Sequence, residues 1–216
     1  GVASGADTFP AQVRDLSAWV SGEPLPEQHP FRMIHAHPKG ETTPEIWVLG
    51  SSDYGGQLAA YFGLPHCFAW FITDGRGAYE ALATYRDTYR PSQRYPQPIT
   101  GVCVWALVAE TEAEALRQFW PRGRARLMRD RGVWGAIETP EAAAAHAYSD
   151  AERARIDELR RMSFVGTAAQ VGDRLRALGD ELKLDDLVVL TWAHDPKVRL
   201  KTYELLAKEL GLAARA

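Results

Sequence analysis

Cysteine is nearly absent from this chain: Cys67 and Cys103 are the two in 216 residues. That excludes a disulfide-stapled secreted scaffold. Both fall in apolar runs, so buried thiols in a reducing compartment are expected, with a bridge between neighbouring strands as the alternative. Long apolar runs are missing too. None approaches the roughly 18 residues needed to cross a bilayer, and no secretory leader is visible. Charge of one sign is not in excess: 25 Lys and Arg against 28 Asp and Glu leave a formal net charge of −3. Nothing there calls for nucleic acid or an anionic membrane, and a cytoplasmic protein is expected. Several catalytic signatures are also missing. There is no Walker loop, no Ser-His-Asp order, no zinc spacing and no pair of carboxylates at expected strand ends. His35 and His37 would share one side of a short edge strand over Phe31–Ala36, but two histidines fall short of a metal site, so no metal is expected. The chain does not begin with Met, and residues 1–7 read as a loop from the middle of a protein.

What is present begins with length and balance. At 216 residues, 46% apolar and 25% charged, the chain suits one globular domain with a sizeable core. It is organised around residues 44–72. Ile46 to Leu49 is a continuous apolar run, as in a parallel strand covered on both faces. Gly50 breaks it, and Ser51, Ser52 and Asp53 follow. Gly55 and Gly56 open a helix with Leu58, Ala59 and Phe62 on its apolar side. Gly63 ends that helix in the left-handed conformation, and Pro65 stops its continuation. Cys67 to Ile72 is a second apolar run. The unit is βαβ, with a hydroxyl-rich turn at the carboxyl end of its first strand, where parallel folds place ligands and free N–H groups favour an anion.

Further strands are expected over 101–109 and 186–192, making four with 45–50 and 66–72. Helices are expected from Thr8, from an Asp74 cap to Arg90-Pro91, from a Thr111/Glu114 capping box to Trp120, over 150–162 behind Ser149/Glu152, and behind Thr167/Gln170. A last helix is expected to bury Leu200, Tyr203, Leu206 and Leu210. Residues 121–150 are the least regular and could form a lid or insertion. Within them Arg122, Arg124, Arg126, Arg129 and Arg131 read as a solvated helical face, with an anion-binding lid as the alternative.

The run PEIWVLGSSDYGGQLAAYFGLP resembles the bacterial-luciferase-like flavin monooxygenases: a strand, Gly50-Ser51-Ser52, Ala59-Ala60 after six more residues, then Gly63-Leu64-Pro65. The likeness continues through RPSQ, MSFVGTAAQVGDRLRAL, DDLVVLTWAHD and RLKTYELLA, and so covers most of the chain. It implies an α/β fold, a luciferase-like TIM (β/α)8 barrel of which only the second half, about four strands, is evident in a single domain over 1–216. It also implies an FMN-phosphate turn at Ser51 and Ser52, with Tyr54 and Gly55 at the helix mouth. Trp70 and Trp192 would pack beside the flavin ring, and His194 would sit at an active-face strand end, available for proton transfer. The activity implied is that of an oxidoreductase using reduced FMN and O2 on a small organic substrate, supplied by a flavin reductase. The alternatives are a deazaflavin-dependent oxidoreductase and a non-catalytic flavin-binding or structural fragment. A homodimer, or association through the missing barrel half, is expected.

Overall fold

The strand Thr100–Val108 (β3) is buried at all nine positions, and the sheet is assembled on it. The computed structural model describes residues 5–38, 40 and 42–213. His66–Phe68 (β2) lies parallel to Thr100–Val102, and Val48–Gly50 (β1) lies parallel to β2. Asp186–Leu190 (β5) pairs in parallel with Gly101–Trp105, and Phe164–Gly166 (β4) with Ala106–Val108. Period-two alternation then divides the side chains between two faces. Val102, Val104, Ala106 and Val108 pack with Leu82, Leu175, Leu178 and Leu206. Those partners lie on the helices Ala78–Thr88 (α4), Ala168–Leu182 (α8) and Pro196–Glu209 (α9). Trp105 and Leu107 pack the other way, with Phe119, Leu127, Ile156 and Leu159 on Glu112–Asp130 (α5) and Asp150–Met162 (α7), between which in the chain lies the short helix Pro140–Ala145 (α6). Double coverage is why β3 reads as an unbroken apolar run.

The parallel α/β architecture is the expected one. Its strands form an open five-stranded sheet among the described residues, with β1 bonded only to β2 and β5 only to β3. Leu49 and Val188 share the Trp105 face by register and are 54% and 46% exposed. Cys67 and Cys103 are buried free thiols on that face, and burial together with the neighbouring Cys103 pushes the Cys67 thiol up to about 12.

Tertiary contacts redraw several elements. Of the loop expected at 1–7, residues 1–4 lie outside the described residues, and the first helix, Gly5–Ser21 (α1), already includes 5–7. Thr8 is therefore not its cap; its hydroxyl donates to the Gly5 carbonyl from within the helix. The edge strand expected over Phe31–Ala36 is a succession of tight turns, His29 N–H to Pro26 O, Arg32 N–H to His29 O and Ile34 N–H to Phe31 O. β1 is shorter than expected. The apolar run 66–72 is a strand only to Phe68: the Ala69 N–H makes the last bond to β1, at the Gly50 carbonyl where that strand ends, and Trp70–Thr73 (α3) follows as one helical turn. Asp74 closes α3 with a left-handed φ of 55°, and Gly77 rather than Asp74 caps α4. The helix expected to stop before Pro121 continues through it to Asp130. The missing N–H costs about 3 kcal/mol, and burial of Phe119, Gly123 and Leu127 along one stripe offsets it. The three-residue β4 is too short for periodicity to reveal. In α9 the buried positions are Thr202 and Leu206, while Leu200 is 56% exposed and Tyr203, partly exposed, turns its hydroxyl back to accept from the Thr191 N–H. Thr202 reaches β3 instead, its hydroxyl bonding both the N–H and the carbonyl of Val108.

Gly63 closes Asp53–Phe62 (α2) as expected, with φ of 60° and its N–H directed to Ala59 and Ala60. A Cβ there would stand 2.6 Å from the Arg90 carbonyl oxygen and 2.8 Å from Ser92 Cβ. Gly63→Ala therefore combines a left-handed penalty with a backbone clash, and about 1–3 kcal/mol of stability should be lost in urea denaturation. A change below about 0.5 kcal/mol would mean that α2 does not seat on the 90–92 turn as described.

Candidate functional site

The carboxyl ends of the strands carry two groups of polar residues. The first is the turn between β1 and α2. Gly50 ends the strand, Ser51 is half-buried, and Ser52 is the exposed N-cap of α2. Ser52 has the extended backbone of a cap, but its side chain makes no capping hydrogen bond. Its hydroxyl is thus unspent on the helix, and the first N–H groups of α2 point toward the same turn. Gly55 lies directly beneath: a Cβ on it would sit 3.3 Å from Gly50 Cα. Two bare residues let the helix mouth close on the strand end. Asp53 stands in the first turn, with its Oδ2 accepting from the Gln57 side chain. Tyr54 is exposed beside it.

His66 supports this turn from inside. It is fully buried, its Nδ1 is 2.9 Å from the Val48 carbonyl, and its Nε2 has no hydrogen-bond partner. Burial lowers its pKa, which the carbonyl contact only partly reverses, so the imidazole is neutral with its proton on Nδ1. The apolar run around it masks His66 as a site residue in the sequence.

The second group surrounds the end of β5. Trp192 packs edge-on to Phe71 and against Trp105, and the Arg122 guanidinium lies over both indoles, 4.2 Å from the Trp105 centroid and 5.2 Å from that of Trp192. Arg122 and Arg126, one turn apart on α5, are both buried and converge on Asp74, at 3.5 and 2.9 Å. Arg126 also donates to the Ile72 carbonyl. Burial draws the Arg122 pKa down to about 9; Asp74 opposes that shift, and Arg126 and Arg129 add to it. The group remains charged at neutral pH. The basic stretch is therefore not a solvated face: Arg122 and Arg126 are interior, Arg124 and Arg129 are half-buried, and Arg131 pairs at the surface with Glu152. The turn at 74–77 places Asp74 here, which no spacing in the sequence announces. A cavity of about 300 Å³ opens beside these arginines, walled by Trp192, Met128 and the segment 133–136.

The remaining expected residues are dispersed. Trp70 sits partly buried against the opposite core cluster, where its indole fills the space left by Gly75, so it and Trp192 are not brought together. His194 is exposed, and its Nδ1 meets the Ile137 carbonyl at 2.8 Å, tying the 131–139 segment to the β5 end. Asp195 caps α9. His35 and His37 are exposed, and no cluster of metal-ligand type occurs among the described residues. No described helix is long and apolar enough to cross a membrane.

Comparison with known proteins adds the following. A family profile described as luciferase-like monooxygenase matches residues 15–183. An uncharacterized protein of Bacillus subtilis (strain 168), YwcH, is 31% identical over 202 residues, 93% of this chain and 60% of its own length. A luciferase-like monooxygenase of Escherichia coli (strain K12) is 31% identical over 200 residues, 92% of this chain and 58% of its own. The crystal structure of apo-MsnO8 superposes with a TM-score of 0.82 at 26% identity, covering 99% of this chain and 63% of that one. The chain thus spans about three fifths of the length of the relatives it matches.

Proposed function

Because this chain belongs to the luciferase-like monooxygenase family, we propose that it is a flavin-dependent oxidoreductase domain that takes reduced FMN and O2 to a small organic substrate. The observation that carries this reading is the β1–α2 turn. A phosphate needs several N–H or O–H donors converging from backbone already in place. Ser51, Ser52 and the open mouth of α2 offer them, and the uncapped Ser52 hydroxyl has no competing use in the helix. These residues fit the phosphate end of FMN, although Asp53 adds one carboxylate beside it.

When bound, reduced flavin supplies the electrons for O2 chemistry. The work left to this chain is to hold, orient and shield. Ser51 and Ser52 would anchor the phosphate, with Tyr54 and Gly55 at the helix mouth. Trp192 presents an indole on the active side of the sheet; Trp70, facing the other cluster, supports the strand end. His194, at the end of β5 and tethered to Ile137, is the group proposed to move a proton.

The test is titration of FMN into wild type and a Ser51→Ala/Ser52→Ala double variant. Loss of two charge-assisted hydrogen bonds worth roughly 1.5–3 kcal/mol each should weaken FMN at least about a hundredfold, whereas riboflavin, which has no phosphate, should respond little. Equal FMN affinity in both proteins would overturn the assignment. A flavin absorption band in the purified protein is expected as well.

A further inference from the structure

We propose that the cavity between the second half of α5, the 133–136 segment and Trp192 binds the carboxylate or sulfonate of an organic acid with a compact apolar body. The walls carry more cationic than anionic side chains. Arg122, Arg124, Arg126 and Arg129 line it with one carboxylate, Glu138, which lies 3.7 Å from Arg124 and pairs with none of the other three arginines. Asp74 is the one buried carboxylate that meets them, at 3.5 Å from Arg122 and 2.9 Å from Arg126. Asp130, half-exposed, stands 3.5 Å from Arg126 and 3.6 Å from Arg155, and so is shared. Arg129 has no ion-pair partner among the described residues. One buried donor is unspent as well. Arg126 uses Nη2 for Ile72 and Asp74 and turns Nε toward Asp130 Oδ1 at 3.5 Å, while its buried Nη1 has no hydrogen-bond partner. Buried donors left unpaired are costly, and the planar guanidinium fork matches a carboxylate or sulfonate in two-point contact.

The other wall selects the rest of the ligand. Trp192, Met128 and Val133 are apolar, and Trp134 stands exposed at the rim. A volume of about 300 Å³ is at the lower end for ligand pockets and holds a body of one or two rings. It is too small for a whole flavin with its ribityl chain. As an acid site the proposal stands on this geometry alone. As the substrate site of an oxidoreductase it rests on the flavin reading above.

Isothermal titration of the flavin-free chain with 2-naphthoate, its neutral analogue 2-naphthamide, FMN and riboflavin separates these levels. The expected result is saturable naphthoate binding, with the amide at least tenfold weaker. Arg126→Gln and Arg129→Gln should each weaken naphthoate about tenfold or more and leave the amide unchanged. Arg129 is half-buried without an ion pair, so its variant reads binding even if the Arg126 variant fails to fold. Naphthoate should bind equally to protein saturated with FMN. Equal affinities for acid and amide, no saturable binding, or an unaffected Arg129→Gln variant would overturn the proposal. Displacement of naphthoate by FMN but not by riboflavin would also overturn it, and would give the cavity to the flavin phosphate. Because the first titrations contain no flavin, their failure is distinct from failure of the FMN experiment.

Discussion

Asp74→Ala should cost this protein about 3–5 kcal/mol of stability, one of the largest losses available to a single substitution here. Asp74 is buried, closes α3 in a left-handed turn, and is the shared partner of Arg122 and Arg126. Removing it leaves Arg122 buried without a counter-charge and Arg126 with only the half-exposed Asp130, and an uncompensated buried charge costs far more than a surface pair contributes. Asp130→Ala is the control. That carboxylate touches Arg126 and Arg155 only at 3.5 and 3.6 Å and is half-exposed, so its loss should stay below about 1 kcal/mol. Urea denaturation of the two variants checks the difference. If Asp74→Ala costs no more than Asp130→Ala, the arginine pair does not depend on Asp74 and the account of the α3–α5 junction fails.

Trp105→Ala should destabilise by a comparable amount, about 3–5 kcal/mol. The residue is buried at the centre of β3, touches Phe119 and Trp192, and lies under Arg122. Truncation opens a cavity where two helices meet the sheet and removes a cation–π contact worth up to about 2 kcal/mol in a desolvated setting. Trp105→Phe should lose much less. The indole N–H has no hydrogen-bond partner, so a phenyl ring keeps most of the packing and relieves an orphaned donor. Equal losses for the two variants would indicate that packing volume does not govern this position. The Ala variant should also weaken organic-acid binding in the cavity, because Arg122 would lose the surface that orients it.

The βαβ unit around Ser51 was legible because its signals are local. A glycine and a proline punctuate α2, and Gly63 takes the left-handed φ that its place after an apolar helix requires. The capping boxes at Ser149/Glu152 and Thr167/Gln170 form as read, since the residues involved are three apart. The strand Thr100–Val108 was visible as an apolar run, and its burial on both faces is the physical content of that run.

By itself, then, the sequence determined the parallel α/β class, the helix starts and stops that depend on neighbours in the chain, and the hydroxyl-rich turn at the end of β1. Tertiary structure decided the rest. The run 66–72 becomes three residues of strand and a helical turn, because β1, its partner, ends at Gly50, whose carbonyl takes the Ala69 N–H as the last bond of that pairing. The outward look of an Arg-x-x-x-Arg repeat gives way to burial, because Asp74, 48 and 52 residues away along the chain, meets both arginines across the fold. α9 turns Thr202 inward and Leu200 outward, because the end of β3 offers an unpaired N–H and carbonyl that a hydroxyl satisfies and a leucine does not. In each case the deciding partner is distant in sequence, and local periodicity carries no record of it.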